Sequence, residues 1–575
     1  MSKREFSILY PDDPSARYRS LSDTSCHDLG LPKICEKLTP KPNERAMILN
    51  ILRTMTASKE TAAYRIGVFR DICRSKEMRD RMLELLNQIS FLNDYGSFKK
   101  EQSHEIGLWD LLHRFDELRD YIRSVEAIRE CLLAANPESD GLLGLKDYVE
   151  AVYQASLFSE LKNDIASLGA DTDHLKSITV GINLNSRFEV ESIGLISVNK
   201  KEFKSSGILK NFSRAFSTED PIRDDNEWDG ETRFIPAGGS KGELAASVGK
   251  FATFTALSRQ PILGPILATS TIANVPEKDS AAYTSFYFDR EISKLLGHLT
   301  RKLERTLSKY ISFSINSITD LIPEFLYYVR WAEFLEKKKE EGFRFSTPCV
   351  TDGQNGCRMK ARDLYNLFLA VSGEIRADDI VPNDLDFDTD HTIYLLTGAN
   401  RGGKTTFTQA VGLCYVLAQG GISTPAGTFE FTPVDCIYTH CPADEDKTLD
   451  LGRLGEECRR FRDLYRDSTD ESLLLLNETF STTSFEEGYY IAKDAVRALM
   501  NKGVRTIYNT HMHKLAAETE EFNKDAQGAR TASLVAHTDE GVRSFRVTVA
   551  PPEGRSYARD IAEKYGVTYD MLTGV

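Results

Sequence analysis

The stretch Gly398-Ala399-Asn400-Arg401-Gly402-Gly403-Lys404-Thr405 constrains the fold of this chain more than any other. It fits the spacing GxxxxGK[ST] and stands directly after an apolar run, Ile393 to Leu396, and before a helical stretch, Phe407 to Leu417. A strand that turns on glycines into a helix exposes backbone N–H groups at the helix N-terminus, where the charge of a phosphate is favoured. The glycines let the chain close around phosphate oxygens, Lys404 offers a cation to the β and γ phosphates, and Thr405 offers a hydroxyl to Mg²⁺. Such a turn belongs in an α/β domain. Further short apolar runs at Leu473 to Leu476 and Thr506 to Tyr508, separated by helical stretches, supply strands for it.

Two of these runs end in polar groups. Leu473 to Leu476 leads into Asn477-Glu478, the pattern of a buried strand that delivers side chains beside the phosphates. Glu478 is the candidate general base for an attacking water. Asn477 occupies the place where an aspartate ordinarily supports Mg²⁺ through water, so a neutral amide should hold the metal less firmly. Val504 to Tyr508 leads into Asn509-Thr510-His511, and His511 is placed to sense the γ phosphate or to position the water. A strand-end carboxylate or a lone histidine is more often structural. Here the chain order, both following a phosphate loop, favours function.

The chain has 575 residues, 41% apolar and 27% charged, enough to bury several cores. Apolar residues at spacings of three and four (Ala46, Leu49, Ile51 and Leu52, then Ala63, Ile66, Val68 and Phe69) predict a helical domain over residues 1–170. Alternation at Ile178, Val180, Ile182 and Leu184, with a second run at Ile193 to Val198, predicts a small β-containing insertion over 171–240. An acidic stretch from Glu219 to Glu231 reads as a solvated loop. Leu295, Leu296, Leu299, Leu303 and Leu307 mark a lever-like helix within 241–345, and residues 346–575 form the α/β domain. No apolar run approaches the length needed to cross a bilayer, and the N-terminus lacks a signal-peptide core, so a cytoplasmic location is expected. Ten cysteines without a CxxC pair argue against a zinc site or a disulfide framework.

Beyond the loop, Val381-Pro-Asn-Asp384, Thr397 to Thr406, Ser423-Thr-Pro-Ala426, Asn477 to Ser484 with Gly488, Thr510-His511 with Leu515, and Gly554-Arg-Ser-Tyr557 with Tyr565-Gly566 occur in a fixed order. This series resembles the ATPase domain of the MutS family of DNA mismatch repair proteins, within the ABC-like class of P-loop proteins. It covers roughly Ile380 to Gly566. The resemblance implies a P-loop ATPase domain behind core, lever and clamp regions, with ATP and Mg²⁺ as cofactors and a homodimer formed through the ATPase domains. It also implies that Gly398 to Thr406 hold nucleotide. The segment that reaches across such a dimer corresponds to Gly452-Arg453-Leu454, where Arg453 could stabilise the partner's γ phosphate or simply pair with Glu456 or Glu457.

Three features depart from the family pattern. The helical region begins within the first fifty residues, so no mismatch-recognition domain is expected ahead of it, and Phe158-Ser-Glu160, which fits the FxE motif of that domain, lies in a helical stretch instead. Asn477 replaces the family aspartate, and Arg453 stands in a segment usually built on a Ser-Thr pair. The net charge of −14 gives no global attraction to DNA. Lys200, Lys201, Lys204, Lys210 and Arg214, interleaved with Phe203 and Phe212, form a local basic cluster suited to phosphate contacts near the tip of the insertion. Two functions are compatible with these residues: a dimeric ATPase acting on mismatched, branched or distorted DNA, and a nucleotide-gated protein-interaction switch without DNA.

Overall fold

A computed structural model of the chain describes residues 6–82, 84–85, 108–172, 177–184, 186, 190–199, 231–236, 297–310, 321–353, 356, 358–399, 402–441, 452–524, 526, 528–539, 542–552 and 566–573. The chain divides into two compact units. One comprises Met1–Ser90, Ile128–Val149 and Asn316–Val575; the other comprises Phe91–Ala127 and Glu150–Ile315. None of the described helices is long and apolar enough to cross a membrane.

The first unit is mixed α/β. Its carboxy-terminal part carries a six-stranded sheet built from β1 (Ile393–Gly398), α1 (Lys404–Gln419), β2 (Ile437–His440), α2 (Gly452–Asp467), β3 (Leu473–Asn477), α3 (Phe485–Lys502), β4 (Arg505–Asn509), β5 (Thr531–Asp539) and β6 (Val542–Val549). The strand order is β2-β3-β4-β1-β5-β6, parallel except for the β5–β6 pair. Leu473 to Leu476, Ile393 to Leu396 and Thr506 to Tyr508 are buried throughout, as continuous apolar runs are when helices cover both faces of a parallel sheet. On one face α1 packs on β1, β3 and β4. On the other, Phe461 and Leu464 of α2 and Tyr489, Ala492, Val496 and Leu499 of α3 close over Ile393, Leu395, Leu474, Leu476 and Tyr508. Each of the large apolar side chains buried here contributes about 1.5–3 kcal/mol of transfer free energy. A second sheet, in the order Cys349–Val350, Thr428–Phe431, Met359–Leu364, Asn383–Phe387, belongs to the same unit.

Two of the amino-terminal helices of this unit carry side-chain caps. Ser22 accepts from Ser25 N at the start of Asp23–Asp28, and Ser58 accepts from Thr61 N at the start of Lys59–Arg74. Lys59–Arg74 and Ile322–Glu340 both approach the carboxyl end of α1, whose last carbonyls have no intrahelical partner. Arg65, fully buried, donates from Nη1 to Gln419 O at 2.9 Å and from Nε to Leu9 O at 2.7 Å. Tyr327 Oη donates to Gly420 O at 2.9 Å, and the Gln419 amide donates to Thr56 O at 2.9 Å.

The second unit contains most of the helix Leu108–Ala135, the helices Ser156–Thr172 and Gly297–Leu307, and a three-stranded antiparallel sheet of Ser177–Leu184, Val190–Asn199 and Glu231–Pro236. The change to period two at Ile178 thus marks strands. Phe158 of the Phe158-Ser-Glu160 triplet is buried in a helix, with its ring centroid 6.2 Å from that of Tyr121, which makes it a core aromatic. Residues 292–296 of the lever-like stretch, the acidic stretch up to 230, and Lys200, Lys201, Lys204, Lys210 and Arg214 lie outside the described residues. Of the described cysteines, Cys26, Cys35, Cys131, Cys414 and Cys436 are buried thiols, while Cys73 and Cys349 are exposed.

Candidate active site

The glycine turn sits at the carboxyl end of β1, where side chains from the ends of β3 and β4 also arrive. Gly398 has φ +133°, and a Cβ there would lie 2.6 Å from Ala536 O on β5, so no larger residue fits. Gly403, at φ +88°, is the N-cap of α1 and frees the N–H groups of its first turn toward the turn's concave side. Lys404 is buried, and its Nζ donates to Gly398 O at 3.0 Å and to Ala399 O at 3.1 Å. Burial pulls the pKa of this ammonium below the ordinary lysine value, and the nearby Glu478 carboxylate acts against that. A desolvated cation whose hydrogen bonds among the described residues go to neutral carbonyls is primed for an anion.

Glu478 leaves β3 in a left-handed conformation, φ 51°, with its N–H donated to Asn509 O at 2.8 Å; Phe480 two residues on has φ 65°. Non-glycine residues hold such angles only where surrounding contacts enforce them. Here Tyr508 Oη donates to Thr479 O at 2.7 Å, and the Phe480 ring is buried against Phe461. The result turns the Glu478 carboxylate away from the sheet toward His511, with 2.6 Å between Glu478 Oε1 and His511 Nε2. That hydrogen bond holds the carboxyl below the usual carboxylate range, against the opposing effect of burial.

Thr405 Oγ1 donates to Asn477 Oδ1 at 3.3 Å, and Asn509 Nδ2 donates to the same Asn477 oxygen while lying 3.5 Å from Thr405 Oγ1. The Thr405 hydroxyl and the Asn477 amide oxygen therefore face one another, with the Glu478 carboxylate on the next residue, and hard oxygen ligands of this kind suit Mg²⁺. Beside them opens a cavity of about 450 Å³, lined among others by Leu369, Ile380, Val381, Lys404, Glu478 and Phe545. That volume lies in the range of small-molecule sites. Two asparagines brace its walls. Asn366 donates to Thr406 O at 2.8 Å, and Asn383 bonds the main chain of β6 at Phe545 O, 3.2 Å, and Val547 N, 2.7 Å.

Lys404, Thr405, Asn477, Glu478 and His511 are thus brought together, with Gly402 and Gly403 beside them. Asn400, Arg401 and residues 553–565 lie outside the described residues, as does the side chain of Arg453, although α2 itself begins at Gly452. Sequence reasoning named Asn509 only as the neighbour of His511 and missed its contact with Asn477. A polar residue closing an otherwise apolar strand is the signal that was there to read.

Residues 394–573 match the protein family MutS domain V. The carboxy-terminal region is MutS-like. It is 30% identical to a DNA mismatch repair protein MutS of Chlorobium chlorochromatii over 197 residues, 34% of this chain and 22% of the relative. An endonuclease MutS2 of Thermus thermophilus is 28% identical over 208 residues, 36% of this chain and 27% of the relative. A DNA mismatch repair protein MutS 2 of Halobacterium salinarum is 31% identical over 188 residues, 32% of this chain and 21% of the relative. The chain therefore spans about a quarter of the length of these relatives or less. Their likeness to it falls in the region that holds the site.

Proposed function

We propose that this protein is a MutS-like ATPase that binds and hydrolyses ATP with Mg²⁺, dimerises through its ATPase domains and acts on mismatched, branched or distorted DNA. The observation that carries the reading is the convergence of Lys404, Thr405 and the Glu478–His511 pair at the strand ends beside the glycine turn. In this reading the domain is a P-loop, ABC-like ATPase. Residues 398–406 hold the phosphates, the cavity beside Ile380 and Val381 takes the base and ribose, and Lys404 moves from its two carbonyls to the β and γ phosphates. Thr405 and, less directly, Asn477 would hold Mg²⁺, which would offset phosphate charge. Glu478 takes the proton of the attacking water, whose oxygen bonds the γ phosphorus as ADP leaves, and His511 sets the orientation of the carboxylate.

Arg453 is assigned to the partner's γ phosphate and the cluster Lys200, Lys201, Lys204, Lys210 and Arg214 to DNA phosphates. The reading includes a division into a helical core (1–170), a clamp-like insertion (171–240), a lever region (241–345) and the ATPase domain (346–575), and a cytoplasmic location. Steady-state ATP hydrolysis, alone and with homoduplex, mismatched and junction DNA, tests it. Stimulation by one DNA structure, lost as salt is raised, is expected. Hydrolysis indifferent to every DNA would point to the protein-interaction switch, and no hydrolysis under any condition would refute the ATPase assignment.

A further inference from the structure

Asn477 and Asn509 are register partners at the carboxyl ends of β3 and β4, and the amide of Asn509 is buried between Asn477 and Thr405. We propose that Asn509 is a positioning residue for the metal: it fixes the Asn477 amide with its oxygen, not its NH₂, toward Thr405, so that two neutral amides together replace a carboxylate. This inference rests on the nucleotide reading above.

The reason lies in amide symmetry. A carboxylate presents an acceptor whichever way it is turned, whereas an amide rotated by half a turn presents a donor. A donor facing Thr405 would repel a cation and could not accept from a metal-bound water. The pair has two self-consistent arrangements, one with Asn509 donating to Asn477 and one with both amides reversed. In the first, the Thr405 hydroxyl also donates to Asn477 Oδ1, and both N–H groups of Asn509 Nδ2 are directed at oxygens. Among the described residues Asn509 Oδ1 then has no hydrogen-bond partner. Reversal would bury two N–H donors at that spot instead of one acceptor, and buried orphan donors are the rarer and costlier case. The surroundings of Asn509 thus select the arrangement that offers an oxygen to the metal, and the Cys441 sulfur, which accepts from the Asn477 NH₂, favours the same one.

The test uses the full chain with the β,γ-imido analogue of ATP, and reads Mn²⁺ binding by electron paramagnetic resonance. Asn509→Ala should weaken Mn²⁺ binding at least threefold in the natural background, yet leave the Asn477→Asp protein within twofold of its own value, because a carboxylate needs no orienting partner. Asn509→Asp is the sharper arm. It adds a negative charge near the metal, but it has no proton for Asn477 and turns that amide's NH₂ toward Thr405, so Mn²⁺ binding should weaken. Tighter binding in Asn509→Asp, unchanged binding in Asn509→Ala, or an equal fractional loss in both backgrounds would overturn the proposal. Binding of the analogue in EDTA separates the two levels: its absence in the natural protein refutes the nucleotide reading, while its retention in the variants assigns any change in Mn²⁺ binding to the metal site.

Discussion

Replacing Lys404 by methionine keeps the apolar stem and removes the ammonium. Lys404 gives two hydrogen bonds to neutral carbonyls, at 3.0 and 3.1 Å, while burial disfavours its charge. Two such charge-assisted bonds are worth about 3–6 kcal/mol, and relief from burying a cation, itself several kcal/mol, offsets most of that, so the nucleotide-free protein should change stability by no more than about 1–2 kcal/mol. With nucleotide the outcome differs. Contacts from an ammonium to phosphates are charge-assisted, and losing them should weaken binding by about 3 kcal/mol, or roughly 150-fold. A ligand at 100 times its natural Kd stabilises the folded state by about 2.7 kcal/mol; at the same concentration the variant would gain only about 0.3 kcal/mol. Thermal unfolding with and without ATP reads both quantities. For a domain of this size the shift should fall from roughly 5–11 °C to about 1 °C. A variant that melts well below the natural protein when empty, yet keeps the full shift with ATP, would show that Lys404 is a structural cation and that phosphates bind elsewhere.

Glu478→Gln should retain ATP binding and reduce single-turnover hydrolysis by about 100-fold or more, the scale of a lost general base; equal turnover would remove Glu478 from that role. His440 is buried, touches Glu457 O and Thr479 Oγ1, and has its pKa pushed down to about 4, first by desolvation and then by Arg460. The unfolded chain therefore takes up this proton first as pH falls, so about 3 kcal/mol of stability should be lost between roughly pH 6.5 and 4. Denaturant unfolding of His440→Asn, which cannot titrate there, should show a correspondingly shallower acid slope. Gly398→Ala places a Cβ 2.6 Å from Ala536 O at φ +133° and should destabilise the domain by about 2–4 kcal/mol, read as a lower denaturation midpoint.

How legible all this is from sequence depends on distance along the chain. The glycine turn, the strand before it and the helix after it are local, and Gly398, Lys404 and Thr405 could be placed from spacing alone. The ends of β3 and β4 could be read because apolar runs stop at Asn477 and at Asn509. Register could not be read. That Asn477 sits opposite Asn509, 32 residues on, rather than one residue away, follows from how two separate strands pair across a sheet, and period-two patterns on fully buried strands leave it open. The same holds for Asn383 against β6 and for the carboxylate of Glu478 against His511, whose contact depends on a left-handed turn that a glutamate seldom adopts. The amino-terminal segment was still less legible: nothing near Arg65 in sequence announces that its guanidinium ends on Gln419, 354 residues away.

That last contact has a mechanical meaning. α1 has 16 residues, a rod about 24 Å long, with the glycine turn at one tip. Its other tip is gripped by three groups from elsewhere in the chain, the Arg65 guanidinium, the Tyr327 hydroxyl and the Thr56 carbonyl. A rod held so cannot slide or roll at its phosphate end without pulling on the helices Lys59–Arg74 and Ile322–Glu340 or breaking buried hydrogen bonds. A displacement of the turn along this rod is therefore felt by both helices at its far end.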